Sequence, residues 1–319
     1  MATANQLKML VKSHFEENNE KFNTIALQIA AHEARLGHTN LANDIRKIIE
    51  SSKNNKPRLK NIDSNLQGLF LEIYPQERLS DLVVSPQIKE RIERIIHEFT
   101  YKDKLFKHNL ENRRKILFSG NPGTGKTMTA SIIANELRLP IYVVLMDKIV
   151  TKYMGETSAK LRQIFDFIKD VPAVYLFDEF DAIGGQRGKD NEVGEMRRVL
   201  NSFLQFLERD HSDSLIIAAT NNLELLDQAL FRRFDDVIRY QLPTDNEKLQ
   251  LLKNRLNGNL SNKEIKDLLP ELTSLSHAEI NQACLDVIKT SVIYDLPIKF
   301  DLVVKTIRER KSAYNLSAE

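Results

Sequence analysis

Cysteine is almost absent: the 319 residues include one, Cys284, which excludes an intramolecular disulfide and leaves too few thiols for a cysteine-based zinc site. A reducing, cytosolic setting is expected. Net charge is almost absent as well. Lysine plus arginine number 46 against 44 aspartate plus glutamate, a balance of +2 that excludes a chain-wide basic coat for nucleic acid but leaves room for a local basic groove. No apolar run approaches the roughly 18–20 residues needed to cross a bilayer, the longest being strand-length stretches such as 141–146. The opening MATANQLKML lacks the apolar stretch of a secretory signal. There is no internal repeat or low-complexity segment, and neither H-E-x-x-H nor G-x-S-x-G occurs, so no recognisable motif carries peptidase chemistry. The expectation is a soluble intracellular chain, 42% apolar and long enough for about two domains of roughly 150 residues.

The first fifty residues carry three apolar stripes at helical spacing: Leu7, Leu10, Val11 and Phe15; Phe22, Ile25, Ile29 and Leu36, closing at Gly37; and Leu41, Ile45, Ile48 and Ile49. They predict a three-helix bundle over 1–50, a head that selects a substrate or an adaptor or packs on its neighbour. Residues 51–65, SSKNNKPRLKNIDSN, are polar and aperiodic and read as a linker. From 66 to 243, short apolar runs at 115–119, 141–146, 173–177, 214–220 and 237–242 alternate with helical patterns. Most are continuously apolar, as strands covered by helices on both faces must be, which predicts an α/β fold with a five-stranded parallel core. Over 244–319 only helical periodicity remains, so an all-helical domain is expected to follow the sheet.

Gly120-Asn121-Pro122-Gly123-Thr124-Gly125-Lys126-Thr127 matches G-x-x-x-x-G-K-[ST] between a strand pattern and a helical one, the context in which such a loop cradles phosphate. The glycines let backbone amides wrap a triphosphate, Lys126 supplies a point charge to its β and γ phosphates, and the Thr127 hydroxyl is placed for Mg²⁺. The helix that follows opens on Met128. The apolar run 173–177 ends in Asp178-Glu179, at the sheet edge where parallel α/β folds bind ligands. Asp178 there would orient the metal and Glu179 would polarise the attacking water, since phosphoryl transfer needs positioning more than covalent help.

With Phe180-Asp181-Ala182-Ile183-Gly184 following, these motifs resemble the AAA clade of the AAA+ ATPases, from about Tyr74 to the end of the chain. The resemblance implies a P-loop sheet in three layers, a helical lid, and the cofactors ATP and Mg²⁺. Ala218-Ala219-Thr220-Asn221 is similar to the family's sensor 1, which would set the Asn221 amide on the lytic water. Leu226-Asp227-Gln228-Ala229-Leu230-Phe231-Arg232-Arg233-Phe234-Asp235 is similar to its second region of homology and maps the arginine fingers, which act on a neighbouring subunit, onto Arg232 and Arg233. Their adjacency resembles the katanin- and spastin-like group and leaves open which of the two contacts the γ-phosphate. Asp81-Leu82-Val83-Val84 precedes the first expected strand and stands where the family cups adenine, with Val83 in place of a common glycine. Ser276-His277-Ala278-Glu279-Ile280 resembles the family's S-G-A-E-I lid segment with a histidine in the glycine position, so that His277 and Ala278 would close the pocket.

Lys152-Tyr153-Met154-Gly155-Glu156 is similar to the aromatic, apolar, glycine pore loop of rings that translocate polypeptide. In that role Tyr153 intercalates among substrate side chains, Met154 adapts to them and Gly155 lets the loop move. The stretch 184–188 would form a second pore loop. The resemblance thus implies a ring, hexameric in the family, that threads protein through its centre and can serve a separately encoded protease. Two further readings stay open here: a nucleic-acid-associated loader, against which the near-neutral charge and the Tyr-Met pair speak, and a nucleotide-dependent scaffold.

Overall fold

Continuous apolar runs become central strands because both faces of the sheet are covered. In the computed structural model, which describes residues 8–10, 12–13, 19–38, 41–45, 66, 68–149, 154–181, 190–222, 228–256 and 258–315, the expected strands are β2 (Lys115–Gly120), β3 (Ile141–Val144), β4 (Val174–Phe177), β5 (Leu215–Thr220) and β6 (Asp236–Tyr240). All five run parallel, and a sixth, β1 (Phe70–Ile73), pairs antiparallel with β3 to give the order β1-β3-β4-β5-β2-β6. Side chains alternate sides along each strand. Ile116, Phe118, Val174, Leu176, Ile217 and Ala219 enter one buried cluster, and Leu117, Tyr175, Phe177, Ile216 and Ala218 enter the other. With each Ile, Leu, Val or Phe among them contributing roughly 1.5–3 kcal/mol on burial, the alternation secures the register as well as the strands.

Helices α2 (Pro86–Thr100) and α3 (Lys126–Leu137) pack into the first cluster, while α4 (Met154–Asp170) and α5 (Asp190–Arg209) pack into the second. Phe165 stacks on Phe177 with ring centroids 6.0 Å apart, and Phe177 meets Phe203 edge-on at 5.0 Å, tying α4 and α5 to β4. After β6 come α6 (Asp245–Leu256), α7 (His277–Tyr294) and α8 (Phe300–Asn315), with shorter helices between them and a core of their own around Leu252, Ile280, Val287 and Val303. Cys284 lies in that core, and burial pushes its thiol up to about 12, so it is an inert apolar filler.

The chain divides into two compact units, residues 1–61 and 62–319. The first contains α1 (Asn19–Arg35), whose buried face carries Ile25, Ala26, Ile29 and Ala30. Leu36, expected on that stripe, is 51% exposed because the helix ends before it and the chain turns at Gly37 with φ +88°. Of the other two stripes, Leu7, Val11, Phe15, Ile48 and Ile49 lie outside the described residues, as does the linker 51–65.

Two expectations need correction. Asp81 does not precede the first strand, because β1 comes before it. Met154 and Gly155 open helix α4 instead of extending a loop, while Lys152 and Tyr153 lie outside the described residues, as do 184–188. The apolar stripe of α4 explains the early start: Leu161, Ile164, Phe165 and Ile168 are all buried, so the helix is held by packing along its length.

Candidate functional site

A cleft of about 960 Å³ opens at the carboxyl edge of the sheet, between the phosphate-loop segment and the helices that follow β6. Gly120, at the end of β2, has φ +142°, and a Cβ there would come within 2.2 Å of the Tyr240 carbonyl oxygen. Only glycine fits this approach to β6. Gly120→Ala is therefore expected to lower stability by at least about 1–3 kcal/mol, the range for a residue forced into a sparsely populated backbone conformation, to be read from denaturant unfolding. Gly123 and Gly125 also lie in the left-handed region, at φ +73° and +99°, and the turn they form feeds directly into α3. The first amides of α3, unsatisfied within the helix, sit at the mouth of that turn together with the positive end of the helix dipole.

Lys126 is 6% exposed, and its ammonium donates to Gly120 O at 2.7 Å, Asn121 O at 2.9 Å and Asn221 Oδ1 at 2.9 Å. Burial holds its pKa below the usual lysine range, and Asp178 and Asp181 work against that shift. A buried cation whose donors rest on neutral acceptors is poised for an anion, which pairs with it more strongly than a carbonyl does. Thr127 Oγ1 donates to Asp178 Oδ2 at 2.7 Å. The two oxygens form the hard donor set that Mg²⁺ takes from protein when phosphate oxygens and waters complete its octahedron, so both the triphosphate and the metal fit the residues present.

Glu179 follows Asp178 in a tight turn with φ +51°, uncommon for a residue with a side chain, and its amide donates to Asp178 Oδ1 at 2.9 Å. The cause is local. Phe180 is fully buried against Phe203, with ring centroids 4.7 Å apart, and its amide donates to Ala219 O at 2.8 Å. With Phe180 pinned below, the turn leaves Glu179 exposed on the cleft wall. Asp181 Oδ1 accepts from Thr220 Oγ1 at 3.2 Å and from the Asn221 amide at 3.3 Å, so this carboxylate orients the end of β5.

The lid side is built by a capping box. Ser276 accepts from the Glu279 amide and Glu279 Oε2 accepts from the Ser276 amide at 2.6 Å, which fixes the start of α7. The next turn then meets the phosphate loop, with the Ala278 amide donating to Gly123 O at 2.9 Å.

The cleft is lined by Leu82, Val83, Pro122, Gly123, Thr124, Gly125, Lys126, Thr127, Met128, Asp178, Glu179, Asn221, His277 and Ala278, all singled out in the sequence. Gly120 and Asn121 act from beneath, through their carbonyls on Lys126. Arg232 and Arg233 are not brought to this cleft. Arg232 is exposed in the turn before β6, and Arg233 forms an ion pair with Glu208. The lining also includes residues that the motifs missed: Gln76, Glu77 and Ser80 before α2, Leu251, Asn254 and Arg255 from α6, and Asn281 from α7. Leu251, Asn254 and Arg255 stand at i, i+3 and i+4, the spacing of one helix face and the only sequence signal that could have found them.

Residues 116–242, from β2 to just past β6, match the family described as ATPase family associated with various cellular activities (AAA). Over 303 residues the chain is 33% identical to an uncharacterized AAA family ATPase of Sinorhizobium fredii, covering 92% of this chain and 90% of that one. It is 33% identical over 237 residues to a proteasome-activating nucleotidase of Methanospirillum hungatei, covering 70% of this chain and 57% of the relative. Against an ATP-dependent zinc metalloprotease FtsH 2 of Sphaerobacter thermophilus the identity is 28% over 224 residues, 67% of this chain and 34% of the relative. The chain thus spans nearly all of the first relative, but little more than half of the second and about a third of the third. No described helix is long and apolar enough to cross a membrane. The chain belongs to the AAA family of ATPases, and it hydrolyses ATP.

Proposed function

We propose that this ATPase is an energy-coupled remodeller of polypeptides, working as a homo-oligomeric ring, hexameric by resemblance, in a cytosolic setting. Its cleft takes ATP with the triphosphate wrapped by residues 120–127 and the base against Leu82, Val83, His277 and Ala278. Lys126 exchanges its carbonyl partners for phosphate oxygens as the nucleotide enters. Thr127 and Asp178 hold Mg²⁺, which when bound neutralises developing phosphate charge. Glu179 accepts the proton of the attacking water, and Asn221, oriented through Asp181, positions that water and registers the γ-phosphate. Arg232 and Arg233 act on the cleft of the adjacent subunit, which is consistent with their standing outside their own.

Residues 66–243 form the ATPase domain in this reading, 244–319 the lid that couples nucleotide state to movement, and 1–50 the head that engages substrate or adaptor. The single observation that carries the remodelling reading is the sequence Lys152-Tyr153-Met154-Gly155, whose last two residues open α4, in a chain similar over 70% of its length to a protein named proteasome-activating nucleotidase. A separately encoded protease as working partner is supported by the name of that same relative.

Tyr153→Ala tests it. ATP turnover is expected to stay within about twofold, because the residue is far in sequence from every cleft-lining group, while ATP-dependent unfolding of a fluorescent protein with an unstructured tail falls at least tenfold. Unfolding at the wild-type rate would remove polypeptide threading from the account.

A further inference from the structure

Arginines that act on a neighbouring cleft need a fixed perch on their own chain, because a misplacement of about 1 Å at the reacting end can cost on the order of a hundredfold in rate. Arg232 and Arg233 stand in the turn between the short helix Gln228–Phe231 and β6. Their own side chains do not hold that turn. Arg232 is exposed, and the pair of Arg233 with Glu208 is of the weak kind found on a wet surface. The Phe234 ring enters the buried cluster under α5, which sets the depth of the turn. A ring among apolar neighbours does not set its direction.

Asp235 supplies what is missing. The β2–β6 ladder opens with Ile116 beside Asp236, and one step before it the Asp235 carboxylate takes over: Oδ2 accepts from the Arg114 amide and from the Lys115 amide, each at 2.9 Å. The Asp235 amide donates in return to Lys115 O at 2.8 Å. Three hydrogen bonds from one exposed residue thus lock the turn to the start of β2, about 120 positions earlier in the chain. That start is itself immobilised. The Arg114 guanidinium bonds to the carboxylate and the carbonyl of Asp210, which is fully buried just past α5, and Arg114 O accepts from the Ile216 amide at 2.7 Å. Lys115 Nζ reaches Glu208 O at 3.4 Å, beside the carboxylate that pairs with Arg233. The clamp lies at the opposite end of β2 from Gly120, and at roughly 3.3 Å per residue five steps of strand put it about 17 Å from the chain's own phosphate loop.

We propose that Asp235 is the positioning residue for the arginine pair, holding turn 232–235 on the first amides of β2 so that the guanidiniums enter the adjacent subunit from a fixed angle. The proposal rests on the reading in which Arg232 and Arg233 act on a neighbouring cleft, and deepens it. Backbone and side chain divide the work: the weak pair with Glu208 lets the Arg233 guanidinium leave for the neighbour, while Asp235 keeps the backbone beneath it in place.

The test uses full-length Asp235→Ala, in which the two freed amides are exposed and can turn to water. Its kcat for ATP is expected to fall by about 10- to 100-fold with KM within about twofold of wild type and an unchanged oligomer by sedimentation, because its own cleft is intact. Mixing separates positioning from damage carried along β2 to the phosphate loop. Lys126→Ala lends sound arginines, so combining it with Asp235→Ala should restore phosphate release. The Arg232→Ala and Arg233→Ala double variant lends none, so combining it should add nothing. The reverse pattern, recovery with both partners, recovery with neither from an assembled oligomer, or wild-type turnover by Asp235→Ala alone would each overturn the proposal. Asp235→Asn keeps an acceptor oxygen, is expected to show the same pattern with a smaller loss, and decides the matter should the alanine variant fail to assemble. Lys126→Ala mixed with the arginine double variant tests the underlying reading: silence there removes shared catalysis and the role of Asp235 with it, whereas recovery there without recovery of Asp235→Ala removes Asp235 alone.

Discussion

Glu179→Gln binds ATP with near wild-type affinity and loses turnover by about 10²–10⁴-fold, the usual worth of a positioned general base. The substitution keeps size and hydrogen-bonding reach and removes only the ability to take a proton. It leaves the fold alone because Glu179 is exposed, and the turn is held by the Phe180 amide on Ala219 O and by the buried Phe180 ring, both of which remain. The measurement is steady-state phosphate release alongside equilibrium binding of a fluorescent ATP analogue. Rapid turnover by this variant would take the base role away from Glu179. A loss of binding equal to the loss of turnover would mean that the carboxylate serves ground-state affinity instead.

Replacing both Arg232 and Arg233 by alanine is expected to cost about 10³–10⁵ in turnover, as removal of an arginine finger does in other phosphoryl-transfer enzymes. Folding should hardly change. Arg232 is exposed, and the ion pair of Arg233 with Glu208 joins two side chains that are 38% and 47% exposed, a kind of surface pair that contributes about 0–1 kcal/mol. Thermal unfolding of the double variant should therefore match wild type while phosphate release collapses. Neither arginine lines the cleft of its own chain, so an effect of this size requires a second copy to supply the guanidinium.

The parts of the fold legible in the sequence were those fixed by repetition along the chain. Val174, Tyr175, Leu176 and Phe177 are all fully buried, and only a strand sandwiched between helices makes that run apolar throughout. The phosphate loop was legible because Gly120, Gly123 and Gly125 take backbone conformations or close approaches that other residues resist. β1 was not. Phe70 is buried and Leu71 is 52% exposed, so four residues of a half-covered edge strand give too short an alternation to register. The start of α4 was misjudged because glycine at 155 reads as loop, whereas the packing of Leu161 and Ile164 carries the helix through it.

In the cleft, motif reading named the groups proposed to hold phosphate and metal and passed over those that work through the fold. Asp181 looked like one more residue after the acidic pair, yet its carboxylate is what the Asn221 amide and the Thr220 hydroxyl donate to, across about forty residues of sequence. Asn281 carries no motif at all. Its place in the cleft wall follows from the helix that Ser276 caps.

Shared catalysis between subunits is the claim on which the rest depends, and mixing two inactive proteins tests it most directly. Lys126→Ala keeps the arginines and loses its own phosphate site, while the Arg232→Ala and Arg233→Ala double variant keeps the cleft and loses the arginines. The account predicts that phosphate release, at background for each protein alone, reappears when they are combined at equal concentration and rises with the oligomer population. A mixture that stays at background while forming the same oligomers as wild type, or a double variant that hydrolyses ATP normally by itself, would contradict it.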